Sequence, residues 1–128
     1  MREILFRGKR KQDGMWCHGD LVWLKDGDTQ MPHIYYFGEV YPASIGQYTG
    51  LTDKNGNKIF EGDIVEFTDK YIHKKGRAKI VFEAFKWKYS GCYYGGNPIV
   101  WLCIDDSSIE FEVIGNIHDN PELLEIEK

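Results

Sequence analysis

Three tight-turn dipeptides divide the first half of this chain into short segments. Asp13-Gly14, Asp26-Gly27 and Asn55-Gly56 each place an Asp or Asn before a glycine. Such pairs between apolar runs are the strongest short-range signal of a β-hairpin. The runs are rich in aromatic residues, which favour strands and make up 15% of the 128 residues. The sequence therefore predicts a mainly-β fold, or an α+β fold with little helix.

The first half reads as a ribbon of hairpins. Residues 4–11 and 15–24 are predicted to pair around the first Asp-Gly turn. Residues 32–40 begin with a proline, which favours an edge strand because proline cannot donate to a ladder. Residues 43–51 are rich in Ser, Thr and Gly without clean periodicity, and we expect an ordered connector there.

The alternation of apolar residues in 77–89 changes phase once. The apolar residues are first even-numbered and then odd-numbered: Ala78, Ile80, Phe82 and Ala84, then Phe85, Trp87 and Tyr89. An uncorrected slip would turn the second group outward, so we expect either a β-bulge or a bend near Ala84-Phe85, and we favour the bulge.

The end of the chain combines two strands with one short helix. Residues 99–104 are continuously apolar, as in a strand buried on both faces, and residues 109–117 alternate. Pro121 suits a first helical position after a capping Asp119 or Asn120. We expect residues 1–60 to form an N-terminal β-ribbon subdomain and residues 61–128 a small barrel with a short C-terminal helix.

Cysteine usage and hydropathy favour a reduced, cytoplasmic protein without a membrane partner. Cys17, Cys92 and Cys103 are odd in number and widely spaced, which argues against a disulfide framework. No apolar run reaches the roughly 18–20 residues of a membrane helix. The basic start is followed by no apolar run long enough for a signal peptide.

Charge is segregated along the chain, although the net charge is only −4. Residues 69–88 carry seven bases against two acids, whereas residues 101–128 carry one base against eight acids. Such blocks form solvated strand faces, self-assembly surfaces or a nucleic-acid site. We favour the solvated strand faces. The candidate contact residues are these bases, the tryptophan among them and two C-terminal leucines: Lys70, Lys74, Lys75, Arg77, Lys79, Lys86, Trp87, Lys88, Leu123 and Leu124.

The sequence lacks the common catalytic motifs. The sequence has no phosphate-binding loop, no dinucleotide fingerprint and no His-Glu-x-x-His motif. The paired acids Asp105-Asp106 fit a hairpin turn, and Glu110 with Glu112 fits the solvent face of a strand. We expect a non-enzyme without catalytic residue, cofactor or metal.

Residues 62–67 and 76–82 resemble the start of Src-homology-3-like small barrels, including KOW modules. The residues are Gly-Asp-Ile-Val-Glu-Phe and Gly-Arg-Ala-Lys-Ile-Val-Phe, separated by a basic loop. This resemblance implies barrel geometry for the second half.

Three blocks of sequence follow one another from end to end of the chain. They are Arg2-Glu3-Ile4-Leu5-Phe6-Arg7-Gly8-Lys9 with Trp16 and His18-Gly19-Asp20-Leu21, then residues 45–65, then residues 113–124. Together they resemble the YopX protein family, small proteins of bacteriophages and prophages of Gram-positive bacteria. The resemblance implies a mainly-β fold with an Src-homology-3-like part, and it supplies no activity, cofactor or catalytic residue. Residues 45–63 are rich in glycine, and we favour a structural turn assembly there over a ligand site.

Three functions follow as hypotheses, of which the least favoured is an enzyme, since it needs a concave pocket with converging ionisable groups. The first is a non-catalytic protein-interaction module of a phage or prophage, self-associating and contacting a phage or host protein. In it, the acidic segment with Leu123 and Leu124 docks onto the basic 69–88 surface of a neighbouring copy. The alternative is a single-stranded nucleic-acid-binding module that uses the basic 69–88 hairpin with Trp87. The net charge of −4 argues against the alternative, because nucleic-acid-binding domains are usually basic.

Overall fold

A computed structural model describes residues 3–83, 86–95, 102–103 (main chain only) and 108–125. Within those ranges the strands are β1 (Phe6–Lys9), β2 (Trp16–Gly19), β3 (Leu21–Asp26), β4 (Thr29–Ile34), β5 (Gly38–Glu39), β6 (Gly46–Thr52), β7 (Lys58–Phe60), β8 (Asp63–Asp69), β9 (Lys74–Glu83), β10 (Lys86–Tyr93), β11 (Leu102–Cys103) and β12 (Ile109–Asn116). Two single 3-10 turns cover Pro42–Ser44 and Pro121–Leu124. The prediction of a mainly-β fold is confirmed.

The chain divides into two compact units, Met1–Gly50 and Leu51–Lys128. The boundary predicted from the sequence, after residue 60, lies ten residues later. Strand β7 belongs to the second unit because Ile59, only 1% exposed, packs into the core of that unit.

The first unit contains a ladder in which β1 pairs with both β2 and β6, and a three-stranded antiparallel sheet in the order β3-β4-β5. Its core consists of Cys17, Ile34 and Val40, with half-buried apolar side chains packed around them. Cys17 is a free thiol that donates to the Gly8 carbonyl oxygen at 3.4 Å. Burial raises its pKa, so it acts as a small core residue.

The turns at both Asp-Gly pairs of the first unit form as predicted, but three other predictions were wrong. Residues 15–24 are not one strand, because β2 ends at Gly19 and β3 begins at Leu21 in another sheet. Residues 32–40 are not one edge strand, because β4 lies between β3 and β5 and the chain turns after Ile34. The Pro32 carbonyl accepts the Val40 N–H, so the Pro32 nitrogen points to the same side of the strand, just beyond the two-residue β5. Because no strand partner needs a donor there, the proline is tolerated. Residues 43–51 are not a connector, since β6 begins at Gly46.

The second unit is built on a five-stranded antiparallel sheet in the order β11-β10-β9-β8-β12. Alternate residues of β8, β9, β10 and β12 face one core, in which the Phe67 ring lies 5.3 Å from the rings of both Tyr89 and Tyr93. The core residues are Ile59, Val65, Phe67, Ala78, Ile80, Tyr89, Ile109 and Phe111.

The phase change in 77–89 marks a hairpin, so the prediction of a β-bulge in one continuous strand was wrong. Glu83 pairs with Lys86, and β9 and β10 run antiparallel from that point. Ala84 and Phe85 themselves lie outside the described residues. A register shift does occur between Val113 and Gly115 of β12. Of the strand expected at 99–104, only 102–103 lie within the described residues, as β11.

The predicted C-terminal helix is one 3-10 turn, Pro121–Leu124. Pro121 occupies its first position as expected, but Asn120 provides no side-chain cap. The Asn120 Oδ1 instead accepts the N–H of Asn116 at 3.3 Å, which ties the turn to the end of β12. Without a cap, a segment this short does not extend into an α-helix.

Candidate interaction surfaces

The outer face of the β3-β4-β5 sheet carries an apolar groove. Leu21 and Ile34 face the core of the first unit, so their neighbours Val22, Leu24 and His33 face the other way. Those three residues line a groove of about 330 Å³ together with Ile34, Tyr35, Tyr36 and Gly38. The groove is almost wholly apolar and open to one side, which suits an apolar side chain of a partner better than a polar substrate.

Large aromatic residues cluster at the groove. Tyr35 and Tyr36 have ring centroids 4.4 Å apart, and Tyr36 is 88% exposed with a φ of +72°. Phe37, the next residue along the chain, is also exposed, whereas Trp23 has the parity of Leu21 and lies on the opposite face of the sheet. Single exposed apolar residues are ordinary, but a contiguous group marks an interaction surface. This group is absent from the predicted contact residues, although the run Tyr35-Tyr36-Phe37 before Gly38 is a visible signal in the sequence.

Strand β3 is an edge of this sheet, because β4 alone pairs with it in the described part of the chain. Trp23 is 52% and Leu24 48% exposed along this edge. An edge strand offers unpaired N–H and C=O groups to another strand. The apolar groove therefore borders a free hydrogen-bonding edge.

Five of the predicted basic residues share the outer face of the β9–β10 hairpin. Ala78, Ile80 and Tyr89 face the core, which turns their chain neighbours outward. The outward bases are Lys75, Arg77, Lys79, Lys86 and Lys88.

The remaining predicted contact residues lie elsewhere. Trp87 packs against the core, with its ring 4.8 Å from that of Phe82. Lys74 lies on the inward-facing parity at the sheet end, 6.0 Å from the Tyr93 ring, and Lys70 lies in the β8–β9 turn. The structure thus separates the tryptophan from the bases.

The C-terminal turn docks onto its own chain. Arg77 Nη1 donates to the Leu123 carbonyl oxygen at 3.2 Å, and a Cβ on Gly115 would lie 2.9 Å from Leu123 Cδ1. Arg77 Nε also donates to the Tyr94 hydroxyl, which in turn donates to Glu66 at 2.8 Å. Leu123 is therefore already seated on the β9 side of the sheet in the same molecule.

The glycine-rich block contains a buried carboxylate that holds two segments together. Asp53 is 7% exposed and accepts the backbone N–H groups of Asn55, Asn57 and Val113, each at 2.9 Å. Burial alone raises the pKa of this carboxyl, but the N–H donors outweigh it and leave the pKa below its usual value. Because both oxygens accept protein N–H groups, this turn is built for structure.

A protein-family model described as YopX protein matches residues 5–125. The chain belongs to the YopX family. The solved structures similar to this YopX chain include the crystal structure of protein EF1440 from Enterococcus faecalis, with 25% sequence identity and a TM-score of 0.52. That likeness covers 97% of this chain and 99% of the other. No curated protein matches the YopX chain.

The described part of this YopX protein also lacks a metal-binding cluster and a membrane-spanning helix. No three His, Cys, Asp or Glu residues there lie close enough to hold a metal ion. No helix among those residues is long and apolar enough to cross a membrane.

Proposed function

We propose that this YopX protein is a non-catalytic protein-interaction module that self-associates through its first unit. The observation that carries the proposal is the exposed apolar face of the β3-β4-β5 sheet, where the groove meets the free edge of β3. Apolar and aromatic residues concentrated in one patch are typical of the energetically dominant centre of a protein interface.

The basic surface offers weaker support for self-association. Docking onto a neighbouring copy requires that the C-terminal segment has no partner in its own chain. Leu123 already accepts a hydrogen bond from Arg77 of the same chain. Arg77 and Lys75 also contact Tyr94 and Glu66 of their own unit. The apolar face of the first unit is therefore better suited than the basic surface to bind a second copy.

Nucleic-acid binding stays a second candidate, supported by the shared outer face of the five bases. Trp87, the residue expected to stack on a base, is not available for stacking because it packs against the core. On this hypothesis a single-stranded oligonucleotide binds at low salt, and Lys79→Glu combined with Lys88→Glu abolishes binding. Lys58→Glu, a base exposed outside the hairpin, is the matched control. An unchanged fluorescence anisotropy of the labelled oligonucleotide with the wild-type protein contradicts this candidate.

We also infer an Src-homology-3-like class for the second unit and a phage or prophage origin in a bacterial cytoplasm. The strand order supports the first inference, because β8 to β11 follow one another across the sheet and β12 returns beside β8. Family membership supports the second.

The molar mass in solution tests the proposed self-association. We expect light scattering to give a multiple of the 14.9 kDa chain mass in both low and high salt, because salt screens charges but leaves apolar contacts intact. A monomer at both salt concentrations contradicts self-association. A mass that falls to that of the monomer at high salt contradicts the apolar face as its surface.

A further inference from the structure

We propose that the partner at the β3 edge is β3 of a second copy, paired antiparallel about a two-fold axis at Leu24. The inference rests on the proposed self-association and adds the strand and the register to it. The result is a continuous six-stranded sheet in the dimer, formed by the same surface on both copies.

The hydrogen bonds within the first unit decide which groups of β3 are available. The Asp20 carbonyl accepts the Tyr35 N–H at 2.9 Å, and Asp26 pairs with Thr29 across a two-residue turn. Even-numbered residues of this strand therefore direct their N–H and C=O toward β4. Because these directions alternate along a strand, Leu21, Trp23 and Lys25 direct theirs outward.

The side chains select the register. An axis at Leu24 places Trp23 opposite Lys25 of the second copy, twice by symmetry, so that each cation meets an aromatic ring. It also places the two Leu24 side chains opposite each other as a close, non-hydrogen-bonded pair. An axis at Trp23 instead sets Lys25 against Leu21, so the two cation–π contacts are lost. The Leu24 axis places its own unmatched charge, Asp26 opposite Val22, at the end of the strand.

The same register joins the two grooves. Leu24 and Val22 lie on the groove face of the sheet, so pairing at Leu24 extends the apolar surface of one copy into that of the other. Natural edge strands avoid such pairing by placing charges or proline along the edge. In β3 the residues Leu21 to Leu24 are all uncharged and the proline lies in β4. The two charges of β3, Lys25 and Asp26, lie at its end beside the turn.

A charge at the axis tests the pairing. Leu24→Lys places two like charges opposite each other, and we expect the dimer dissociation constant measured by sedimentation equilibrium to rise by at least about tenfold. Leu24 is half exposed, so the monomer fold tolerates the change. Tyr71→Lys, at an 85% exposed aromatic residue of the second unit, is expected to leave the constant unchanged. Equal constants for Leu24→Lys and the wild type overturn the pairing.

A cysteine at the axis tests the register independently. In a background with Cys92→Ser and Cys103→Ser, Leu24→Cys is expected to form an intermolecular disulfide under mild oxidation, since the two Cβ atoms face each other. Val22→Cys faces Asp26 of the second copy and is expected to stay reduced. If the wild type is dimeric and Leu24→Cys does not cross-link, the register is wrong while self-association stands. If the wild type is monomeric, both proposals fail.

Discussion

Replacing Gly91 with alanine is expected to lower the free energy of unfolding by about 3 kcal/mol. Gly91 pairs with Ala78 across the β9–β10 hairpin. A Cβ at this position would overlap the Arg77 carbonyl oxygen and lie 2.6 Å from the Ala78 Cα. Both are backbone atoms of a central strand, so relief requires the strands to separate and the core beneath Tyr89 to open.

Gly95→Ala is the matched control, two residues beyond the end of the same strand. A Cβ there meets nothing within 4 Å, and only its φ of +103° opposes the change. The cost is therefore expected to be about 1 kcal/mol. Urea denaturation of both variants checks the difference. Equal losses of stability in the two variants would show that the close approach of β9 and β10 at Gly91 is absent.

Asp53→Asn is expected to cost about 3 kcal/mol at neutral pH, because three N–H groups lose a charged acceptor. The donors come from its own turn and from Val113 of β12, so the substitution loosens the contact between the two segments. Stability is measured by urea denaturation at neutral and acidic pH.

The pH dependence of stability separates the charge of Asp53 from its shape. Because the folded pKa lies below that of the unfolded chain, the unfolded state takes up the proton first as the pH falls. The contribution of Asp53 is complete above the unfolded value of about 4 and is lost as the pH falls through the folded pKa. Asp53→Asn should therefore lose less stability on acidification than the wild type. Parallel acid losses in the two proteins would contradict this role.

Local signals in the sequence were sufficient for the hairpins. Asp13-Gly14 and Asp26-Gly27 supply the backbone conformations that tight turns need, and both turns form where they were expected. The reversal between Glu83 and Lys86 has no such dipeptide, so a change in alternation was the only trace and fitted a bulge equally well. Strand β6 was missed because its burial does not alternate: Tyr48 and the adjacent Thr49 are both buried.

The candidate surface depended on tertiary structure. Charge counts along the sequence identified the basic hairpin, and five of its bases do share a face. Alternation alone places Trp87 opposite Lys86 and Lys88, but its face relative to Arg77 and Lys79 depends on where the chain reverses. The groove combines β3 and β4 with the turn at Tyr35, and only the pairing of those strands brings Val22 and His33 together.

Amide hydrogen exchange of β3, followed by NMR as a function of protein concentration, tests the central claim most directly. In the monomer the N–H groups of Trp23 and Lys25 face the open edge and exchange quickly, whereas that of Leu24 faces β4. With rising concentration, we expect protection to increase at Trp23 and Lys25 and to stay unchanged at Lys79 and Lys88 on the basic face. Protection that rises on the β9–β10 hairpin and not on β3 would contradict the account.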